Sequence, residues 1–179
     1  MIFYRTLLYY YSIALTCYNL ILKLNLVSQM RKKKVSIQKA SYESMDIDSL
    51  IEPLGGISSI INKGDKVLLK TNLLNATDPS KAVVTNPLFI KAVAKSVENA
   101  GGIAYIGDSP SGDFSKRRLK KVYKKTGLLT LSEEIGIELN YNTKSKKITI
   151  PQAKKLRKTR ICEFATDADK IIALPKLKT

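Results

Sequence analysis

Three apolar runs, each closed by a polar, turn-forming signature, organise this chain. Val67-Leu68-Leu69 leads into Lys70-Thr71-Asn72, Ile103-Ala104-Tyr105-Ile106 into Gly107-Asp108-Ser109-Pro110, and Ile171-Ile172-Ala173-Leu174 into Pro175-Lys176-Leu177-Lys178-Thr179. Read as neighbouring parallel strands, their carboxyl ends fall along one edge of a sheet. That edge is where open α/β folds bind their ligands.

The stretches between these runs alternate strand and helix signals. Residues 35–39 read as a first strand, and residues 47–54 as a helix stopped by Gly55-Gly56, whose missing side chains permit left-handed backbone. Gly64-Asp65 is a turn signal before a short apolar strand over residues 66–70. Pro87 suits the first turn of a helix in which Leu88, Ile90, Val93, Ala94 and Val97 recur at near-helical spacing until Gly101-Gly102 ends it. A strand over residues 103–106 follows at once. Ser115 caps a helix running to about Thr126, with Leu119, Val122 and Tyr123 on one face and Lys or Arg nearly everywhere else. Gly127 is a natural stop. Further on, residues 137–141 and 147–150 alternate like strands, Asn142-Thr143 suggests a turn between them, and a strand over residues 170–174 closes the pattern.

Strand, helix, strand in succession makes the right-handed parallel crossover the default. The prediction is a three-layer α/β domain around a mainly parallel, open, Rossmann-like sheet. Because the last strand ends almost where the sequence does, the domain reads as incomplete at its carboxyl end.

The first 29 residues are a different material. Residues 6–22 are uncharged and rich in Leu, Ile and Tyr, flanked by Arg5 and Lys23, and are marginally long enough to cross a bilayer. Two readings stand side by side: a signal anchor, or an extension upstream of a true start at Met30. A cleaved signal comes third, since Val27-Ser28-Gln29 makes a poor cleavage site. In the anchor reading, Arg31-Lys32-Lys33-Lys34 holds the following domain on the cytoplasmic side. The expected organisation is therefore a hydrophobic segment over residues 1–29 and an α/β domain over residues 30–179, in the cytoplasm and, in the anchor reading, tethered to a membrane.

Composition narrows the chemistry. The 179 residues suffice for one domain with a real core, and 44% apolar with 26% charged residues fits a globular protein. A formal net charge of +16 favours anionic partners by general attraction. The cations cluster at residues 31–34, at residues 116–125 and between Lys144 and Arg160. There is no histidine, and the two cysteines, Cys17 and Cys162, sit in unlike segments. A cysteine-ligated zinc or iron–sulfur site cannot be assembled within the chain from these groups, nor can a Ser-His-Asp or Cys-His pair. No cofactor is expected within this chain. Two separated thiols give no disulfide framework, which leans towards a reducing compartment.

Four motifs in order carry a family resemblance. Residues Gly64-Asp65-Lys66-Val67-Leu68-Leu69-Lys70-Thr71-Asn72-Leu73, then Ala82-Val83-Val84-Thr85-Asn86-Pro87, then Gly107-Asp108-Ser109-Pro110, then Leu174-Pro175-Lys176-Leu177-Lys178-Thr179 resemble the amino-terminal half of the domain of unknown function 362 family. The resemblance runs from about Val35 to the last residue. It implies relatives that often carry a ferredoxin-like segment with two four-iron clusters further on, a segment with no counterpart here. The family pattern has Lys-Pro-Asn where this chain has Lys70-Thr71-Asn72, and Thr-His-Pro where it has Thr85-Asn86-Pro87. It also continues with a histidine directly after the position of Thr179. A function resting on either family histidine is absent from this chain.

The residues themselves nominate a site. Lys70, Lys176 and Lys178 bring ammonium groups to one sheet edge, Asn72, Ser109 and Thr179 add neutral hydrogen-bonding groups, and Asp108 adds a carboxylate. Such a mixture suits a small carboxylate or phosphate, with Asp108 orienting a hydroxyl or helping to hold a hydrated Mg²⁺. Against this stands the plainer reading, in which Asp108-Ser109-Pro110 caps the next segment and Lys70 and Lys176 are solvated strand ends. Two alternatives come from different classes. The helix over residues 116–125 with the segment 144–160 is basic enough to meet nucleic-acid phosphates, but Tyr123 lies on the apolar stripe and offers no stacking surface. A redox-associated module is the other, and it needs an iron–sulfur partner outside the chain.

Overall fold

The computed structural model describes residues 34–176, and residues 36–176 fall in one compact unit. Helix α1 (Ile47–Ile51) starts at Asp46, whose carboxylate accepts from the Ser49 backbone N–H at 3.1 Å, and runs into one tighter turn over Glu52–Leu54. Gly55, at φ +111°, ends it as the double glycine predicts. Strand β1 (Lys66–Lys70) buries its three central residues and exposes both lysines. Helix α2 (Pro87–Asn99) is capped by Asn86, whose side chain accepts from the Leu88 N–H at 2.8 Å, and it buries Ile90, Val93, Ala94 and Val97 while Leu88 stays exposed. Strand β2 (Ile103–Gly107) follows within four residues.

Helix α3 (Lys116–Lys125) is capped by Ser115 and buries Leu119, Val122 and Tyr123, as its periodicity requires. Gly127 ends α3 as expected, and it also opens a further helix. At φ +77° it turns the backbone into a second helix, α4 (Leu128–Ile135), which buries Leu128 and Leu131. That helix is not legible in the apolar pattern, which reads the glycine as an end. Strand β3 spans only Glu138–Leu139. Strands β4 (Ser145–Thr149) and β5 (Lys158–Cys162) form a separate antiparallel hairpin, and the short helix α5 (Glu163–Thr166) leads to β6 (Lys170–Ala173).

The main sheet has the order β3-β2-β1-β6, with every neighbour parallel. Two crossovers in one direction, β1 to β2 to β3, keep α2, α3 and α4 on the same face when both are right-handed. The return to β6 beyond β1 reverses direction and puts α5 on the opposite face. Side-chain parity agrees: Val67, Leu69, Ala104 and Ile106 join Ile90, Val97, Leu119 and Tyr123 in one core cluster. Leu68, Tyr105 and Gly107 face the other way, where the Tyr105 hydroxyl donates to the Phe164 carbonyl of α5. The expected three-layer, parallel α/β architecture is the one observed.

Two expectations are corrected. Residues 35–39 form no strand: Val35 is 78% and Ile37 91% exposed. An alternating pattern becomes a strand only where a neighbour takes its hydrogen bonds, and residues 35–39 pair with none of β1, β2, β3 and β6. The strands expected over 137–141 and 147–150 are not joined by a hairpin either. The first shrinks to two residues on β2, and the second pairs with β5 across an eight-residue connection. Residues 1–29, Lys178 and Thr179 lie outside the described residues. Among the described residues no helix is long and apolar enough to cross a membrane.

Candidate site at the carboxyl edge of the sheet

Register brings the three strand ends level. Lys70 lies opposite Gly107 of β2 on one side and opposite Ala173 of β6 on the other. The residues that follow each strand therefore meet along one edge, and they are tied together there by a chain of hydrogen bonds. The Thr71 N–H donates to the Gly107 carbonyl at 3.3 Å, and the Leu174 N–H to the Lys70 carbonyl at 2.8 Å. The Thr85 hydroxyl donates to the Leu174 carbonyl at 2.8 Å and accepts from the Asn72 N–H at 2.9 Å. Asn72 returns its carbonyl to the Thr85 N–H at 3.0 Å, and its side-chain amide donates to the Val83 carbonyl at 3.1 Å.

Asp108 is the hub of the edge. One carboxylate oxygen accepts from the Leu73 N–H at 2.7 Å; the other accepts from the Ser109 N–H at 2.9 Å and from the Lys70 ammonium at 3.2 Å. Its side chain is 8% exposed, whereas that of Lys70 is 52% exposed. Burial of the carboxylate and exposure of the ammonium give the pair a direction: Asp108 faces the protein and Lys70 faces out. Next to Asp108, Gly107 leaves room for α5, since a Cβ there would stand 2.8 Å from the Phe164 ring and 2.9 Å from Leu68. Behind the edge, Tyr123 donates its hydroxyl to the Asn140 carbonyl at 2.7 Å. Burial pushes that phenol well above its ordinary range, with Tyr141 and the Asp108 carboxylate adding to the rise.

Of the residues singled out from the sequence, Lys70, Asp108 and Ser109 come together, and Asn72 sits in the loop they brace. Lys176 follows β6 at the same edge, but its ammonium turns to Tyr42, 3.0 Å from the hydroxyl and 5.8 Å from the ring centroid. Sequence reasoning missed Tyr42, which lies in a segment with no periodicity. It also passed over Thr85, whose hydroxyl links the loops after β1 and β6. Among the described residues no three His, Cys, Asp or Glu side chains converge as a metal group would need.

A parallel α/β sheet with polar loops gathered at its carboxyl edge defines a class that houses many unrelated activities. Within that class the chain belongs to the family described as Domain of unknown function (DUF362), which it matches over residues 67–179. It is also similar to the "Thylakoid-associated protein sll1697" of Synechocystis sp. (strain ATCC 27184 / PCC 6803 / Kazusa), with 36% identity over 152 residues, 82% of this chain. The chain spans 46% of that relative's length. No solved structure matches the chain.

Proposed function

We propose that the carboxyl edge of the sheet binds a small anion, a carboxylate or phosphate metabolite, with Lys70 as its charged contact. The carrying observation is the outward half of the Lys70–Asp108 pair: an ammonium more than half exposed, held in place by a buried carboxylate. Asp108 acts by positioning. Its two oxygens already take three donors, and a hydrated Mg²⁺ would have to displace an ammonium to reach it. That favours an anion over a cation at this edge. Ser109, exposed beside the pair, adds a hydroxyl, and Asn72 holds the loop through Val83. Lys176 joins on release from Tyr42, and Lys178 and Thr179 extend the same segment.

This reading sets the domain on the cytoplasmic side, since Arg31 to Lys34 follow the apolar residues. A redox role would draw its cluster from a partner.

The test is titration of the full chain with inorganic phosphate and with a dicarboxylate, followed by calorimetry. Lys70→Met keeps the apolar stem and removes the charge. A lost charge-assisted bond of about 1.5–3 kcal/mol weakens binding roughly ten- to a hundredfold. Equal weakening by Lys120→Met, on the exposed face of α3, would reduce the effect to general attraction and defeat the assignment.

A further inference from the structure

We propose that the β4–β5 hairpin is a docking surface for an anionic lipid bilayer. Residues 144–162 carry eight Lys or Arg and no acid. The hairpin register sets Lys147 directly opposite Arg160 and Thr149 opposite Lys158, so three cations share one face and line one groove. Like charges directly opposed across a strand pair repel. Among the described residues no carboxylate relieves them, the ion pairs being Lys70–Asp108 and Lys91–Glu134. The Arg160 guanidinium is laid along the strand by bonds to the Ser145 hydroxyl (3.0 Å) and carbonyl (3.1 Å), which fixes its charge on this face.

The tip of the hairpin decides which polyanion fits. Ile150 closes the turn, its N–H donating to the Arg157 carbonyl at 2.8 Å, and it is 39% exposed. Leu156 is 61% exposed, beside Lys154 and Lys155. An exposed apolar tip flanked by Lys154, Lys155 and Arg157 suits the boundary between headgroups and acyl chains, where the leucine enters and the lysine stems reach back to phosphates. A nucleic acid would use the cations but leave the apolar tip in water. It would also want stacking rings, and residues 144–162 contain no aromatic. Helix α3 is equally basic but turns Leu119, Val122 and Tyr123 into the core, so it presents charge without an apolar contact.

The experiment is co-sedimentation of the full chain with two kinds of vesicle: phosphatidylcholine alone, and phosphatidylcholine with about one third phosphatidylserine. Binding to neutral vesicles reads the apolar segment 1–29, which is the same in every variant. The anionic increment reads the hairpin. At about fivefold per cation, Lys147→Gln/Lys158→Gln/Arg160→Gln should cut that increment roughly a hundredfold. Leu156→Ser should cut it severalfold, and Lys120→Gln/Lys121→Gln/Lys124→Gln far less. Circular dichroism checks that each variant folds. Equal losses from the hairpin and α3 triples would overturn the proposal, as would indifference to Leu156→Ser. Tighter, hairpin-dependent binding of a single-stranded oligonucleotide would assign the surface to nucleic acid instead.

Discussion

Replacing Asp108 by Asn is the sharpest perturbation of the sheet edge, because it keeps the shape and reverses half of the hydrogen-bonding sense. Asp108 meets only donors: the Leu73 N–H on one oxygen, the Ser109 N–H and the Lys70 ammonium on the other. An asparagine offers one acceptor and one donor. With its oxygen towards Leu73, its NH₂ confronts Ser109 and Lys70; flipped, it confronts Leu73. Either orientation leaves a buried N–H facing another donor. An unmade bond to a charged acceptor plus an unpaired buried donor costs about 2–4 kcal/mol. The Lys70 ammonium contributes little of this, since its side chain is 52% exposed and such pairs are worth about 0.2–1 kcal/mol.

Urea unfolding of wild type, Asp108→Asn, Lys70→Met and the double variant separates the contributions. At a slope of about 1–3 kcal/mol per molar urea, Asp108→Asn should lower the midpoint by roughly 1–2 M and Lys70→Met by a few tenths. The double variant should resemble Asp108→Asn, with a small coupling energy. A Lys70→Met loss as large as that of Asp108→Asn would refute the division into a structural carboxylate and an outward ammonium. So would an Asp108→Asn variant as stable as wild type.

Gly107→Ala should cost about 1–3 kcal/mol by overpacking, because its Cβ would press the Phe164 ring and Leu68 from 2.8 and 2.9 Å; a thermal midpoint equal to wild type would show that Phe164 gives way freely. Tyr123 bears on alkaline stability. Its folded value is raised, so its contribution is present in full below the ordinary value of 10.0 and is lost as pH climbs past it. Tyr123→Phe should lower stability at neutral pH by about 1–2 kcal/mol, through the unpaired Asn140 carbonyl, and should flatten the decline above pH 10. Parallel stability curves for the two proteins in that range would contradict the assignment.

Where the sequence was legible, local chemistry and tertiary packing asked for the same thing. The Gly64-Asp65 turn, Pro87 in the first turn of α2, Ser115 as a cap, and the apolar spacing of α2 and α3 each fix an element without reference to distant residues. The edge itself is legible by inference from β1, β2 and β6 as parallel neighbours, whose pattern alone puts Lys70 and Asp108 at one edge. What escaped depends on approach from elsewhere in the chain. Residues 35–39 have the alternation of a strand and no partner. Gly127 ends α3 as it reads, but the helix that starts directly after it, held by the packing of Leu128 and Leu131, has no signal in the pattern. The pairing of β4 with β5 rather than with β3 is a matter of register across an eight-residue connection. Tyr42 meets Lys176 across 134 positions, a contact that no local pattern encodes.

Phe164 connects the two surfaces proposed here. Its carbonyl receives the Tyr105 hydroxyl, and its ring lies over Gly107, one residue from Asp108. It is also the second residue of α5, which begins as soon as β5 ends. The hairpin is thus anchored to the main sheet beside the strand end that carries the site, and through a contact that glycine alone leaves room for. Charge removal at Lys147, Lys158 and Arg160 touches none of these contacts, so it should change vesicle binding and leave phosphate binding unaltered. Displacing Phe164 from Gly107 should disturb both. That asymmetry follows from the packing, and it distinguishes two surfaces sharing an anchor from one diffuse basic face.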